Sequence, residues 1–310
     1  MKAGTVDEFE LIARYFTARG ALREDVVLGV GDDAAIVAPT AGRSLVLTTD
    51  TLVAGRHFPT EDFPPAALGY RALAVNLSDL AAMGAAPAWA LLSLTLPTVD
   101  ERWIEAFASA FSALAERCNV ALVGGNMALG PLTVSVTLAG QVEPGKALTR
   151  AGARVGDALY VTDALGGGAA GLRALQSGAA IDAPEVAAYA YPTPRVQAGL
   201  GLASYATAAI DVSDGLLGDL AKLLATSGDL GAELVADDIP LASGATLADA
   251  LGPSDDYELL LSIPQAQLSA VNIEQLGCEL HCIGRVCAEP GVRLDGDTQD
   301  AAARGFNHFQ

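Results

Sequence analysis

Four short acidic clusters interrupt a chain that is otherwise mostly apolar and built of small residues: Gly31-Asp32-Asp33, Thr48-Thr49-Asp50, Asn76-Leu77-Ser78-Asp79 and Asp211-Val212-Ser213-Asp214. Each falls where an apolar run readable as strand or helix meets a turn. From such element ends short carboxylates can converge on hard cations. Solvated surface acids would be scattered instead.

With 310 residues, 51% of them hydrophobic, the chain has core enough for two domains. The clusters sit within a wider excess of 37 acidic over 18 basic residues, a formal charge of -19. That charge repels nucleic acid and anionic lipid, so neither is expected as a partner. Outside the clusters the acidity also reads as a solvated surface suited to high salt. The only lysines are Lys2, Lys146 and Lys222, so phosphate has to be handled by arginine, backbone amides or metal ions.

Cys118, Cys278, Cys282 and Cys287 contain no CxxC pair, which argues against a disulfide framework and for buried thiols in a reducing cytoplasm. His281 lies between two of them, at a spacing wrong for a zinc ribbon or finger. The acids of Asp7-Glu8 stand where a secretory signal would be basic and then apolar, so secretion is not expected. The most apolar stretch, Ala81 to Pro97, is broken by Gly84 and Pro87 and falls short of the roughly 20 residues that a spanning helix needs, so a soluble protein is expected.

Periodicity predicts helices over 7–19, with Phe9, Ile12, Ala13 and Phe16 on one face, over 65–83 and over 101–117. Strands are predicted over 34–38, 44–49, 120–123 and 132–140, with Gly124-Gly125 as a turn. The last strand alternates Leu132, Val134, Val136 and Leu138 against Thr133, Ser135 and Thr137, a polar face either solvated or covered by a partner. Glu143-Pro144-Gly145-Lys146 reads as a linker, which sets domains of 1–150 and 151–310. Beyond it the pattern predicts helices over 168–176, 194–205, 214–227 and 265–275. Strands are predicted there over 157–161, 209–211, 232–235, 257–263 and 280–286. Both halves are α/β or α+β in type, and no sequence repeat is visible.

Neither a glycine loop ending in lysine nor the protein-kinase motifs occur. Gly166-Gly167-Gly168 lacks a following lysine, and a tight packing point or flexible turn competes with a phosphate cradle there. What remains is Asp33, Asp50, Asp79, Asp211 and Asp214, each beside a hydroxyl, a second acid or a glycine. Magnesium takes oxygen ligands and is commonly held by one or two carboxylates while substrate phosphates complete its shell. Taken singly, each Asp also reads as a helix N-cap or turn residue, Asp214 before Gly215-Leu216-Leu217 above all. Asp79 differs, because Asn76, Ser78 and Asp79 interrupt a helical run that would otherwise be buried all round, and buried acids need partners.

Several longer strings carry a resemblance: Gly31-Asp32-Asp33-Ala34-Ala35, the run from Thr48 to Phe58, the run from Ala72 to Gly84, Ala147 to Ala153, Ile210 to Leu216, and Asp256-Tyr257-Glu258-Leu259. In this order, and over nearly the whole chain, they closely resemble the thiamine-monophosphate kinase family. The resemblance implies ATP-dependent phosphorylation of thiamine monophosphate to thiamine diphosphate by direct in-line transfer. It also implies the two-domain α/β fold shared with aminoimidazole ribonucleotide synthetase, with an N-terminal mixed-sheet domain that pairs in a homodimer and a C-terminal α/β domain covering nucleotide and substrate.

Carried onto this chain, the resemblance gives magnesium to Asp33, Thr48, Thr49, Asp50, Asp79, Asn126, Asp211 and Asp214. It gives ATP to Gly125, Asn126, Arg150 and Ser213, and thiamine monophosphate to His57, Asp255 and Phe306. A covalent catalytic nucleophile is not implied. Three departures stand out. Gly124-Gly125-Asn126-Met127-Ala128-Leu129 puts an amide and a leucine where the family usually has an aspartate and an arginine. Asp255 replaces a longer glutamate, and Phe306 replaces a Tyr or Trp. A nucleotide-binding homologue with impaired turnover, or an enzyme of the same fold acting on another small substrate, are the alternatives.

Overall fold

The computed structural model describes residues 7–60 and 63–301. The chain divides into two compact units, Met1–Asn76 with Pro87–Glu143, and Leu77–Ala86 with Pro144–Gln310.

The first unit contains helices α1 (Glu8–Tyr15), α2 (Pro65–Ala82, which continues into the second unit) and α3 (Glu101–Arg117). Its strands are β1 (Val26–Leu28), β2 (Ile36–Val37), β3 (Ser44–Val53), β4 (Ala86–Leu96), β5 (Ala121–Leu129) and β6 (Thr133–Val142). A four-stranded sheet runs in the order β3-β6-β4-β5, with β3 antiparallel to β6 and β4 parallel to β5. Period-2 alternation sorts its residues cleanly. Leu52, Leu92, Leu94, Val134, Val136 and Leu138 are buried, whereas Leu47, Thr49, Thr51 and Leu91 are exposed. Near Trp89 and Ala121 the β1-β2 pair packs on the sheet through Val26 and Val37.

Three readings of this half are corrected. Gly124 and Gly125 are not a turn but lie inside β5. The stretch 86–96, weighed only as a membrane candidate, is a strand. In α1 the buried residues are Leu11 and Tyr15, one helical turn apart, while Phe9 is 76% exposed.

The second unit adds β7 (Ala158–Thr162), β8 (Ala208–Val212), β9 (Gly231–Leu234), β10 (Glu258–Ile263), β11 (Leu280–Cys287), β12 (Gly291–Leu294) and β13 (Asp297–Gln299). Its helices are α4 (Gly167–Gln176), α5 (Ala187–Ala190), α6 (Val196–Leu202), α7 (Leu216–Thr226), α8 (Leu247–Leu251) and α9 (Gln265–Leu268). The helix expected to reach 275 thus stops after one turn.

A seven-stranded sheet runs β13-β12-β9-β11-β7-β10-β8, antiparallel except for the β12-β9 pair. Alternate residues feed two cores. Leu159, Val161, Ile210, Val212 and Leu260 join Leu216, Leu220 and Leu223 of α7. Tyr160, Ala209, Leu259, Leu261 and Ile263 join Ala198 and Leu202 of α6 with Ala81 and Ala82 at the end of α2. Covering on both faces explains why β10 is buried at every position and is apolar apart from Glu258 and Ser262. The thiols are not buried as expected: Cys282 is exposed and the other three are half-buried, all four free. Among the described residues no helix is long and apolar enough to cross a membrane.

Candidate functional site

In the first unit the sequence-predicted residues gather around β3, the turn that follows it, and β5. Successive side chains of a strand point to opposite faces. Accordingly Thr49 meets Thr137, whose hydroxyl donates to it at 3.1 Å, and itself donates to the Val136 carbonyl at 3.1 Å, on the open face of the sheet. Thr48 and Asp50 face the other way and are half-buried. The Asp50 amide donates to the Asn76 side-chain oxygen at 3.1 Å, and the Asn76 amide donates to the Ala72 carbonyl at 3.0 Å. Asn76 is fully buried, so a residue that looked like a break in an apolar helix is the tie between α2 and β3.

Asp33 lies exposed in the turn before β2, where its amide donates to the Asp32 carboxylate at 2.8 Å. His57 closes a turn on Val53: its amide donates to the Val53 carbonyl at 3.0 Å, and the Val53 amide donates to its Nδ1 at 3.0 Å. A neutral ring held in this way carries its proton on Nε2. Gly125 has φ +152°, and a Cβ there would run into the Leu92 carbonyl of β4, which is reason enough for glycine. Asn126 follows it, exposed and paired with Ser93.

In the second unit Asp211, one residue from the end of β8, is buried and accepts a hydrogen bond from the Ser78 hydroxyl at 2.8 Å. Asp79, next along α2, is half-buried. Asp214, which taken singly reads as an N-cap or turn residue, lies in the turn before α7, whose N-cap is Gly215 and offers no side chain. Instead the buried Asp219 carboxylate, one turn into α7, accepts from the amides of Ser213 at 3.0 Å and Asp214 at 2.9 Å. Lys222 bridges both acids, to Asp219 at 2.8 Å and to Asp214. Burial works against its charge, yet the hydrogen bonds it donates to Asp214 and Asp219 outweigh that and hold the ammonium above the usual lysine range. Burial likewise raises Asp219, with Lys222 pulling it back.

Arg150 is exposed on a loop whose backbone is secured to α7, the Ser227 hydroxyl donating to the Arg150 carbonyl at 3.1 Å and accepting from the Gly152 amide at 3.2 Å.

Two segments far apart in sequence, 211–215 and 252–257, form one structural piece. The Asp255 amide donates to the Ser213 carbonyl at 3.1 Å and the Tyr257 amide to the Val212 carbonyl at 2.8 Å. A Cβ on Gly215 would strike the Gly252 carbonyl. The second segment is strained: Asp255 has φ +53° and Tyr257 φ +58°. Asp tolerates the left-handed region, but for an aromatic residue it is an outlier costing about 1–3 kcal/mol. Asp256 between them is buried and accepts from the amides of Gly166 at 2.7 Å and Gly168 at 3.1 Å, so the triple glycine cradles a carboxylate of this chain at the start of α4. Burial pushes Asp256 up to about 6, against the amides that favour its charge. Glu258, next but one, takes both arms of the Arg195 fork at 2.6 Å and the Thr162 hydroxyl at 2.5 Å. Burial pushes it up to about 7, with Arg195 opposing.

Sequence reading missed Asp219 and Lys222 in the Asp214 turn and Asp256 and Tyr257 beside Asp255. A signal for the first pair was there, since an acid and one of three lysines stand three residues apart on a helix. Phe306 lies outside the described residues.

Every predicted ligand side chain is an oxygen donor, which suits magnesium. Among the described residues no three Asp, Glu, His or Cys side chains gather closely enough to hold an ion by themselves.

Two family models cover most of the chain: the N-terminal domain of AIR synthase related proteins over residues 31–142 and their C-terminal domain over 154–297. The thiamine-monophosphate kinase of Salmonella typhimurium is 42% identical over 97% of this chain and 98% of its own length. The chain belongs to the thiamine-monophosphate kinase family. Among solved structures of thiamine-monophosphate kinases, the one from Stenotrophomonas maltophilia superposes with a TM-score of 0.84 at 43% identity, over 89% of this chain and 93% of its own. AaThiL complexed with AMPPCP and TMP superposes with a TM-score of 0.79 at 32% identity, covering 90% and 92%. The two-domain α/β fold that the sequence led us to expect is thus the family's fold.

Proposed function

We propose that this chain transfers the γ-phosphoryl group of ATP to thiamine monophosphate. A terminal phosphate oxygen of thiamine monophosphate forms the new bond to the γ-phosphorus as the bond to the β-γ bridging oxygen breaks, giving thiamine diphosphate and ADP. The observation that carries this is the likeness, over nine-tenths of the chain, to AaThiL complexed with AMPPCP and TMP.

In this reading Asp33, Thr48, Thr49, Asp50, Asp79, Asn126, Asp211 and Asp214 hold magnesium ions, which supply positive charge to the phosphate oxygens when bound. Gly125, Asn126 and Ser213 line the nucleotide, and the exposed Arg150 fork pairs with its phosphate oxygens. His57, Asp255 and Phe306 contact thiamine monophosphate; with Nδ1 accepting from Val53, a neutral His57 has Nε2–H to donate.

The open sheet face of the first unit, with Leu47 67% exposed, is the surface through which two copies pair. Four free thiols suit a reducing cytoplasm.

Purified protein incubated with ATP, magnesium and thiamine monophosphate is expected to form thiamine diphosphate, read by chromatography. Absence of product across a wide magnesium range overturns the assignment. Nucleotide binding without product would mark an impaired homologue.

A further inference from the structure

We infer that Asp256 and Tyr257 are positioning residues that hold the Asp255 carboxylate where its substrate contact needs it. The inference rests on the reading that Asp255 meets thiamine monophosphate.

Asp255, at φ +53°, stands beside a Tyr257 whose φ of +58° an aromatic residue would not adopt unaided. What imposes that backbone is visible on both sides. Toward β8, the amides of Asp255 and Tyr257 are bonded to the carbonyls of Ser213 and Val212. Toward α4, the Asp256 carboxylate is clamped by the amides of Gly166 and Gly168, and Gly168 lies so close that a Cβ would strike the Ser254 carbonyl. The Asp255 side chain is then fixed by the Tyr257 hydroxyl, which donates to its Oδ1 at 3.0 Å.

Two independent devices therefore converge on one carboxylate.

Steady-state kinetics of Asp256→Asn and Tyr257→Phe test this, with thiamine monophosphate varied at saturating ATP and the reverse. Asparagine can accept through one atom only and loses half of the clamp, while phenylalanine keeps the ring and loses the hydroxyl. Each variant is expected to raise KM for thiamine monophosphate about fivefold or more and to leave KM for ATP within about twofold.

Arg173→Ala serves as the control for general loosening, because Arg173 pairs with Asp249 between α4 and α8. It should lower the melting temperature with neither KM moved. Tyr257→Phe keeps the test open should Asp256→Asn fail to fold. Unchanged KM for thiamine monophosphate in the folded variants, or a parallel rise of both KM values, overturns the inference alone. No product from the unaltered chain overturns the functional reading and this inference with it.

Discussion

In the proposed reading Asn126 is the magnesium ligand that lacks a charge, and it sits exposed on β5. A neutral amide oxygen binds a divalent ion without the charge that favours it. Asn126→Asp is therefore expected to lower the magnesium concentration for half-maximal rate several-fold, measured by titrating magnesium at fixed ATP; an unchanged requirement would remove Asn126 from the ligand set. At this scale the sequence was legible in kind but not in partnership. Asn76 and Ser78 stood out because a polar atom in a buried helix has to be satisfied. Their partners, Asp50 and Asp211, lie 26 and 133 residues away, and only the fold brings them within reach. Asp214, read singly as a cap or turn residue, proves to be the turn residue, and the carboxylate that takes up the amides there is Asp219 inside the helix.

Among the elements, the long helices and the alternating strand over 133–142 were legible because their periods of 3.6 and 2 persist over many residues. Strand β4 was hidden by Pro87 near its start, and the second half of β5, beyond the strand predicted over 120–123, by two glycines that signal a turn in most settings. Here the glycines answer to β4, whose backbone comes too close for any side chain at Gly125. Gly125→Ala is accordingly expected to destabilise by at least about 2 kcal/mol, read from urea unfolding.

The strained piece before β10 gives a pH signature. Asp256 and Glu258, pushed by burial up to about 6 and about 7, keep protons in the folded chain that the unfolded chain has already lost. Between about pH 4 and pH 7 the native state thus binds more protons, so these groups make stability fall as pH rises. Asp256→Asn should remove the lower part of that decline, on the order of 3 kcal/mol, leaving a flatter profile of unfolding free energy against pH.

The molecule as a whole carries a formal charge of -19, and an uncovered sheet face on its first unit. Sedimentation equilibrium is expected to give twice the chain mass, and Leu47→Glu, which places a charge on that face, to give a folded monomer; a monomeric parent chain would refute the pairing. With so few lysines spread over so acidic a chain, one of them spent between Asp214 and Asp219 is a conspicuous allocation. It makes the Asp214 turn an ion exchanger already loaded with a cation on a tether. A divalent ion taking Asp214 has to compete with that ammonium, so an affinity measured there is a selectivity between two cations. Lys222→Met removes the competitor, and calorimetric titration with manganese should then show tighter binding that no longer depends on the tether being displaced.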